Sequence, residues 1–161
     1  MKSNVVIRVL VSFGVPLLLG FLGSLATRPA IATWFAGLAK PSFSPPNWLF
    51  GPAWTVLYIL MGLAVYIVWT RGTETRGVKP ALAFFGVQLV LNLAWSFIFF
   101  AARSPLGGLI EILVLWVAIA VTMVLFFRVS VAAGLLFVPY LGWVTFATVL
   151  NAAIFALNRG A

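Results

Sequence analysis

The stretch LGGLIEILVLWVAIAVTMVLFF, residues 106–127, decides the fold class of this chain. It holds one charged residue, Glu111, and as a helix it is long enough to cross the roughly 30 Å hydrocarbon core of a bilayer. Further apolar segments of this length lie at 5–26, 48–70, 80–102 and 131–157. Backbone groups in lipid must be bonded within a helix or a closed barrel, and the alternating pattern of barrel strands is absent. The sequence therefore predicts an all-α membrane protein with five transmembrane helices.

The composition independently indicates a membrane protein. Of the 161 residues, 64% are hydrophobic and 7% are charged, whereas a soluble domain is about 45–50% apolar and about 25% charged. The ten Lys and Arg residues are scattered singly near the segment ends. This distribution is typical of cations among lipid headgroups and not of a nucleic-acid surface. Membrane lipid is therefore an expected partner, and nucleic acid is not.

The residue types exclude several classes of catalytic site. The chain has no Cys and no His, and its acidic residues are Glu74 and Glu111. Thiolate and imidazole metal sites, Ser–His or Cys nucleophiles and paired-carboxylate catalysis are thereby excluded. No metal, no cofactor and no acid–base enzyme is expected. Because Glu111 lies near the start of its segment, with Arg103 close by in the sequence, we expect its carboxylate at the headgroup level.

The connections predict a compact bundle with one unusual loop. Short links at 70–79, 103–105 and 128–130 force neighbouring helices to run antiparallel in a single domain over residues 1–161. The connection at 27–47 is about 20 residues long and interleaves four prolines with several aromatic residues. Long ordered loops in compact domains are usually functional. We therefore expect this loop to form a lid over the bundle.

Three segments carry aromatic or amide side chains at helical spacing, and such side chains are costly in lipid unless they face the bundle interior. The stripes are Trp54 and Tyr58 in the second segment, Gln88, Asn92 and Ser96 in the third, and Pro139, Trp143, Ala147 and Asn151 in the fifth. Two interpretations stay open. The stripes line a cavity for a flat, mostly apolar ligand, or the amides merely bond the helices together.

The motifs that bear these stripes resemble a known family. The chain reads WFAGLAKPSFSPPNWLFGPAW at 34–54, QLVLNLAW at 88–95 and VPYLGWVTFATVLN at 138–151. In this order and over nearly the whole chain, they resemble the translocator protein family (TspO/MBR), also called tryptophan-rich sensory protein or peripheral-type benzodiazepine receptor. The resemblance implies the same five-helix bundle.

The resemblance also implies a function. Members are membrane receptors or carriers of tetrapyrroles such as protoporphyrin IX, and animal members bind cholesterol and benzodiazepine-type drugs. It implies a homodimer and, for this chain, a bacterial inner membrane. The implied ligand-binding residues are Phe35 in the lid, Trp54, Tyr58, Asn92, Trp95, Trp143 and Ala147. The lid departs from many members, which have Tyr at the position of Phe35 and Trp at the position of Phe43, so stacking surface is kept while a lid hydroxyl is lost.

Two alternatives to a binding protein stay open. One is light- and oxygen-dependent degradation of a bound porphyrin, with Trp54 and Trp143 as electron donors. The other is transport of such ligands across the bilayer. For the binding protein, the lid cations Arg28 or Lys40 are expected to meet the ligand's propionates at the membrane surface.

Overall fold

The computed structural model describes residues 2–159 and contains five long helices. They are α1 (Lys2–Ala32), α2 (Phe50–Thr70), α3 (Val78–Ser96), α4 (Pro105–Val129) and α5 (Val131–Leu157). Each is long and apolar enough to cross a membrane, and no strand occurs among the described residues. The predicted all-α membrane fold with five transmembrane helices is confirmed.

Local sequence signals set the helix ends. Pro105 opens α4, and the Ser104 side chain accepts a hydrogen bond of 3.0 Å from the Gly107 amide, which caps the helix. Gly77, with φ of 90°, precedes α3 in a left-handed conformation that suits glycine. Between α4 and α5, Ser130 alone breaks the helical backbone, so these two helices form a tight antiparallel pair.

α3 ends in a π-helical turn over Phe97–Ala101. The Ala102 amide donates to the Phe97 carbonyl at 2.8 Å, which is the spacing of a π-turn. This turn brings Phe99 and Phe100 under the lid, where both are buried.

The lid is shorter than the sequence predicts. Residues 27–32 belong to the expected loop but continue α1, and the connection to α2 then contains the two short 3₁₀ turns Phe35–Gly37 and Asn47–Leu49. Phe35 is 3% exposed and packs on Phe99 and Phe100. The lid is also tied to the end of α5. The Ala39 amide donates to Oδ1 of Asn158 at 3.1 Å, and Nδ2 of Asn158 donates to the Ala39 carbonyl at 3.0 Å.

The five helices are buried to different extents within the bundle. The main hydrophobic core lies between α2, α3, α4 and α5, and a smaller one lies beneath the lid. α1 packs chiefly on α2 and α3. In its most apolar window 11% of residues are buried, against 28–39% for the other four helices. Most of α1 therefore faces the surroundings of the bundle, and one side of it closes the space described next.

Candidate functional site

A cavity of about 530 Å³ lies at the lid end of the bundle, between α1, α2, α3 and α5. Small-molecule sites commonly measure about 300–1,000 Å³. The seven residues that the sequence predicts for ligand binding all line it: Phe35, Trp54, Tyr58, Asn92, Trp95, Trp143 and Ala147. The structure thus brings the whole predicted set together, and their contact with a ligand stays a prediction.

Aromatic rings form much of the cavity wall. Trp54 stacks on Tyr58 with ring centroids 5.6 Å apart, and Trp95 stacks on Phe99 at 5.2 Å. Trp143 meets Phe50 edge to face at 6.0 Å. Because each indole is held by a neighbouring ring, the wall is a preformed surface for stacking.

A chain of hydrogen bonds crosses the floor of the cavity. The Tyr58 hydroxyl donates to Oδ1 of Asn92 at 2.6 Å, and Nδ2 of Asn92 donates to the Tyr140 hydroxyl at 2.9 Å. The Tyr140 hydroxyl in turn donates to Oε1 of Gln88 at 2.9 Å. The chain links α2, α3 and α5, so these amides do bond helices together, while Asn92 also lines the cavity.

Asn151 supports the wall from behind. Its Oδ1 accepts from Nε1 of Trp95 at 3.3 Å, and its Nδ2 donates to the Pro105 carbonyl at 2.8 Å. Asn151 does not line the cavity. It therefore positions the Trp95 indole and joins α3, α4 and α5.

The indole of Trp143 differs from that of Trp95. Its Nε1 is buried and has no hydrogen-bond partner among the residues described. Buried donors are nearly always paired. Because this nitrogen has almost no accessible surface, Trp143 contributes its ring rather than its N–H to the cavity wall.

α1 supplies the wall that sequence reasoning missed. Leu17, Gly20, Phe21 and Ser24 line the cavity and were not predicted to, whereas Arg28, which also lines it, was expected at the membrane surface as a lid cation. The two glycines of this helix face were the available signal. A Cβ at Gly20 would overlap the Tyr58 ring, and one at Gly23 would lie 3.1 Å from Oγ of Ser96. Glycine here lets α1 approach α2 and α3 closely.

The position of Glu111 at the headgroup level stays a prediction, and the structure describes its neighbours in the bundle. Its side chain points into the bundle from the buried face of α4 that also holds Gly108, Ile112 and Leu115, and among the described residues it forms no ion pair with Arg103. Glu111 is 8% exposed, and neither carboxyl oxygen has a hydrogen-bond partner in the described part of the chain. It does not line the cavity.

Comparison with known proteins agrees with these features. The TspO/MBR family model matches residues 12–157. Tryptophan-rich protein TspO of Archaeoglobus fulgidus is 46% identical over 95% of this chain and 98% of its own, and its namesake from Chlorobaculum tepidum is 47% identical over 90% and 92%. Human translocator protein is 41% identical over 87% of this chain and 83% of its own. With five membrane-length helices and a match over most of its length, this chain is a multi-pass membrane protein that belongs to the TspO/MBR family.

Proposed function

We propose that this protein is a receptor or carrier that holds a tetrapyrrole of the protoporphyrin IX type in the cavity under the lid. The family gives the chain a general role as a membrane receptor or transporter. The observation that carries the finer proposal is that Trp54, Trp95 and Trp143, from three different helices, line one cavity.

The chemistry of the walls suits such a ligand. A porphyrin is flat, aromatic and largely apolar, and aromatic faces prefer offset or edge-to-face contact with other rings. The cavity offers indoles from α2, α3 and α5, and at about 530 Å³ its volume falls within the usual range of ligand sites. The same surface also suits other flat hydrophobic molecules, such as sterols or benzodiazepine-type drugs, which the proposal ranks second.

Polar contacts with the ligand divide unevenly among the lining residues. Asn92 already accepts from Tyr58 and donates to Tyr140, which leaves one of its two amide hydrogens for a ligand. The single N–H of Trp143 is buried and is not exposed to the cavity, so Trp143 offers its ring for stacking. The proposal therefore assigns the hydrogen bond to a ligand acceptor to the second amide hydrogen of Asn92.

The proposal includes the setting that the family resemblance implies. The protein acts as a homodimer, and the membrane is the inner membrane of a bacterium. Binding needs neither a metal nor an acid–base group, since stacking and one hydrogen bond hold the ligand.

A titration of protoporphyrin IX in detergent, in the dark, tests the proposal through quenching of tryptophan emission. Trp143→Leu is compared with Trp69→Leu, which also removes one indole but lies at the other end of α2, away from the cavity. We expect saturable binding that Trp143→Leu weakens about tenfold, from lost stacking, and that Trp69→Leu leaves unchanged. Quenching that never saturates, or equal affinity in both variants, contradicts the proposal.

A second candidate function is photo-oxidative degradation of the bound porphyrin. The observation in its favour is that Trp54 and Trp143 line the same cavity, so that both indoles would adjoin an excited ligand. Illumination of the loaded protein in air decides between the two. A destruction rate unchanged by combined Trp54→Phe and Trp143→Phe refutes degradation by these residues while leaving binding intact.

A further inference from the structure

We infer that Arg28 binds a carboxylate of the ligand at the cavity mouth, so that the cavity selects planar ligands with an acidic edge over neutral ones of the same shape. This inference rests on the proposed function and adds the ligand's charge to it. Sequence reasoning left Arg28 and Lys40 as equal candidates for this role, and the structure separates them.

Arg28 is the one charged side chain among the described residues that line the cavity. It lies in the last turns of α1, at the lid end of the bundle, and is exposed. Within residues 2–159 its guanidinium forms neither an ion pair nor a hydrogen bond with another side chain or carbonyl. A planar guanidinium presents five donors in a geometry that matches a carboxylate.

The hydroxyl groups of the threonine and serine side chains near Arg28 are poorly placed to bind a carboxylate, because each already donates its hydrogen. Ser24 donates its hydrogen to the Phe21 carbonyl at 2.7 Å, and Thr27 donates to the Gly23 carbonyl at 3.0 Å. Thr55, across the mouth on α2, donates to its own helix at 2.9 Å. Each hydroxyl therefore turns lone pairs outward, and lone pairs repel a carboxylate. Arg28 is the charged donor at the mouth, and the neutral N–H groups of Asn47 and Trp48 lie among the same lining residues.

The other cations at this end of the bundle either bind carbonyl groups of the lid or lie outside the cavity. Nζ of Lys40 donates to the carbonyls of Ala36 and Leu38 at 3.3 and 3.1 Å and lies 4.8 Å from the centre of the Phe35 ring. It holds the lid and does not line the cavity. Arg103 and Arg159 line a separate hollow beside the start of α4.

The cavity is therefore amphipathic along its length. Indoles and the bonded amide chain occupy the deep part, and a cation stands at the mouth. A flat ligand whose carboxylate lies at one edge fits both parts at once. Hydrogen bonds to a charged group are stronger than neutral ones, which sets the expected preference for an acidic ligand at about tenfold.

The test compares protoporphyrin IX with its dimethyl ester, which keeps the ring and removes the charge. Both are titrated in the dark in an uncharged detergent against wild type, Arg28→Gln, Arg28→Lys and, as a matched control at the same membrane face, Arg103→Gln. We expect wild type and Arg103→Gln to bind the diacid about tenfold more tightly than the ester. Arg28→Gln should bind the diacid and the ester with the same affinity, equal to that of wild type for the ester. Arg28→Lys should keep part of the preference for the diacid.

The outcomes separate the two proposals. Equal affinity of wild type for diacid and ester overturns the role of Arg28 and leaves tetrapyrrole binding standing, whereas saturable binding of neither ligand overturns the proposed function itself. A preference that survives Arg28→Gln shows that another group recognises the carboxylates, and it overturns the inference. Wild type alone gives a further check, because added salt must reduce diacid affinity and spare the ester.

Discussion

Tyr140→Phe is the substitution that most directly tests the hydrogen-bonded chain under the cavity. Tyr140 is fully buried, and its hydroxyl both accepts from Nδ2 of Asn92 and donates to Oε1 of Gln88. Removal of one oxygen leaves the ring and its contacts with Phe137 and Trp54 unchanged in shape. The free energy of unfolding should therefore report the two lost bonds.

The magnitude follows from counting bonds. Side-chain hydrogen bonds in membrane proteins average about 0.6 kcal/mol, so two give a lower bound of about 1.2 kcal/mol. A buried polar group left without a partner costs about 1–3 kcal/mol, so two give an upper bound of about 6 kcal/mol. Tyr58→Phe breaks a single bond, to Asn92. Whatever the value per bond in this bundle, Tyr140→Phe should cost about twice as much as Tyr58→Phe.

Equilibrium unfolding in mixed micelles, with sodium dodecyl sulfate as denaturant and far-ultraviolet circular dichroism as readout, measures both costs. The double variant serves as an internal check, because Tyr58 and Tyr140 share Asn92 and their effects should not add. A Tyr140→Phe variant no less stable than Tyr58→Phe would refute the chain as drawn.

Four further substitutions, one of them a control, have expected outcomes that differ in sign. Glu111→Met should raise the free energy of unfolding by about 1–3 kcal/mol, because it removes buried carboxyl oxygens that have no partner in the described residues; destabilisation would show that they are bonded. Gly20→Ala should destabilise by about 1–3 kcal/mol and weaken ligand binding, since the new methyl overlaps the Tyr58 ring. Gly14→Ala, which meets nothing within 4 Å, should be neutral or slightly stabilising. Asn158→Ala removes the two hydrogen bonds that join the lid to α5. Deuterium-exchange mass spectrometry should therefore show amide exchange about tenfold faster in the lid and unchanged at the centre of α5. Unchanged exchange in the lid would contradict this.

The helices were predictable because each apolar segment must span the same thickness of lipid. α5 begins and ends where the sequence places it, at Val131 and Leu157. α1 was ended too early because Arg28 and Pro29 usually mark a helix boundary. The structure continues through both, with Oγ1 of Thr33 donating to the Pro29 carbonyl at 2.8 Å. Proline removes only its own N–H, which membrane helices tolerate.

The site was predictable where a stripe at four-residue spacing marks one helix face. Such spacing indicates which residues share a face, but it does not indicate which neighbouring helix that face meets. The link from Asn92 through Tyr140 to Gln88 depends on how α3 and α5 pack, and so does the inward position of Glu111. The α1 wall was missed for the same reason, since its part in the cavity comes from close approach at Gly20.

The length of α1 makes the protein sensitive to the thickness of its bilayer. Its apolar span, Val5–Ala32, has 28 residues, which at 1.5 Å per residue is about 42 Å, against a hydrocarbon core of about 30 Å. This hydrophobic mismatch is relieved by tilt, by local thickening of the bilayer or by moving the final turns among the headgroups. Those final turns carry Arg28 and one side of the cavity mouth. The acyl-chain length of the surrounding lipid therefore acts on the entrance of the cavity, and ligand affinity measured in lipids of different chain length should vary with it.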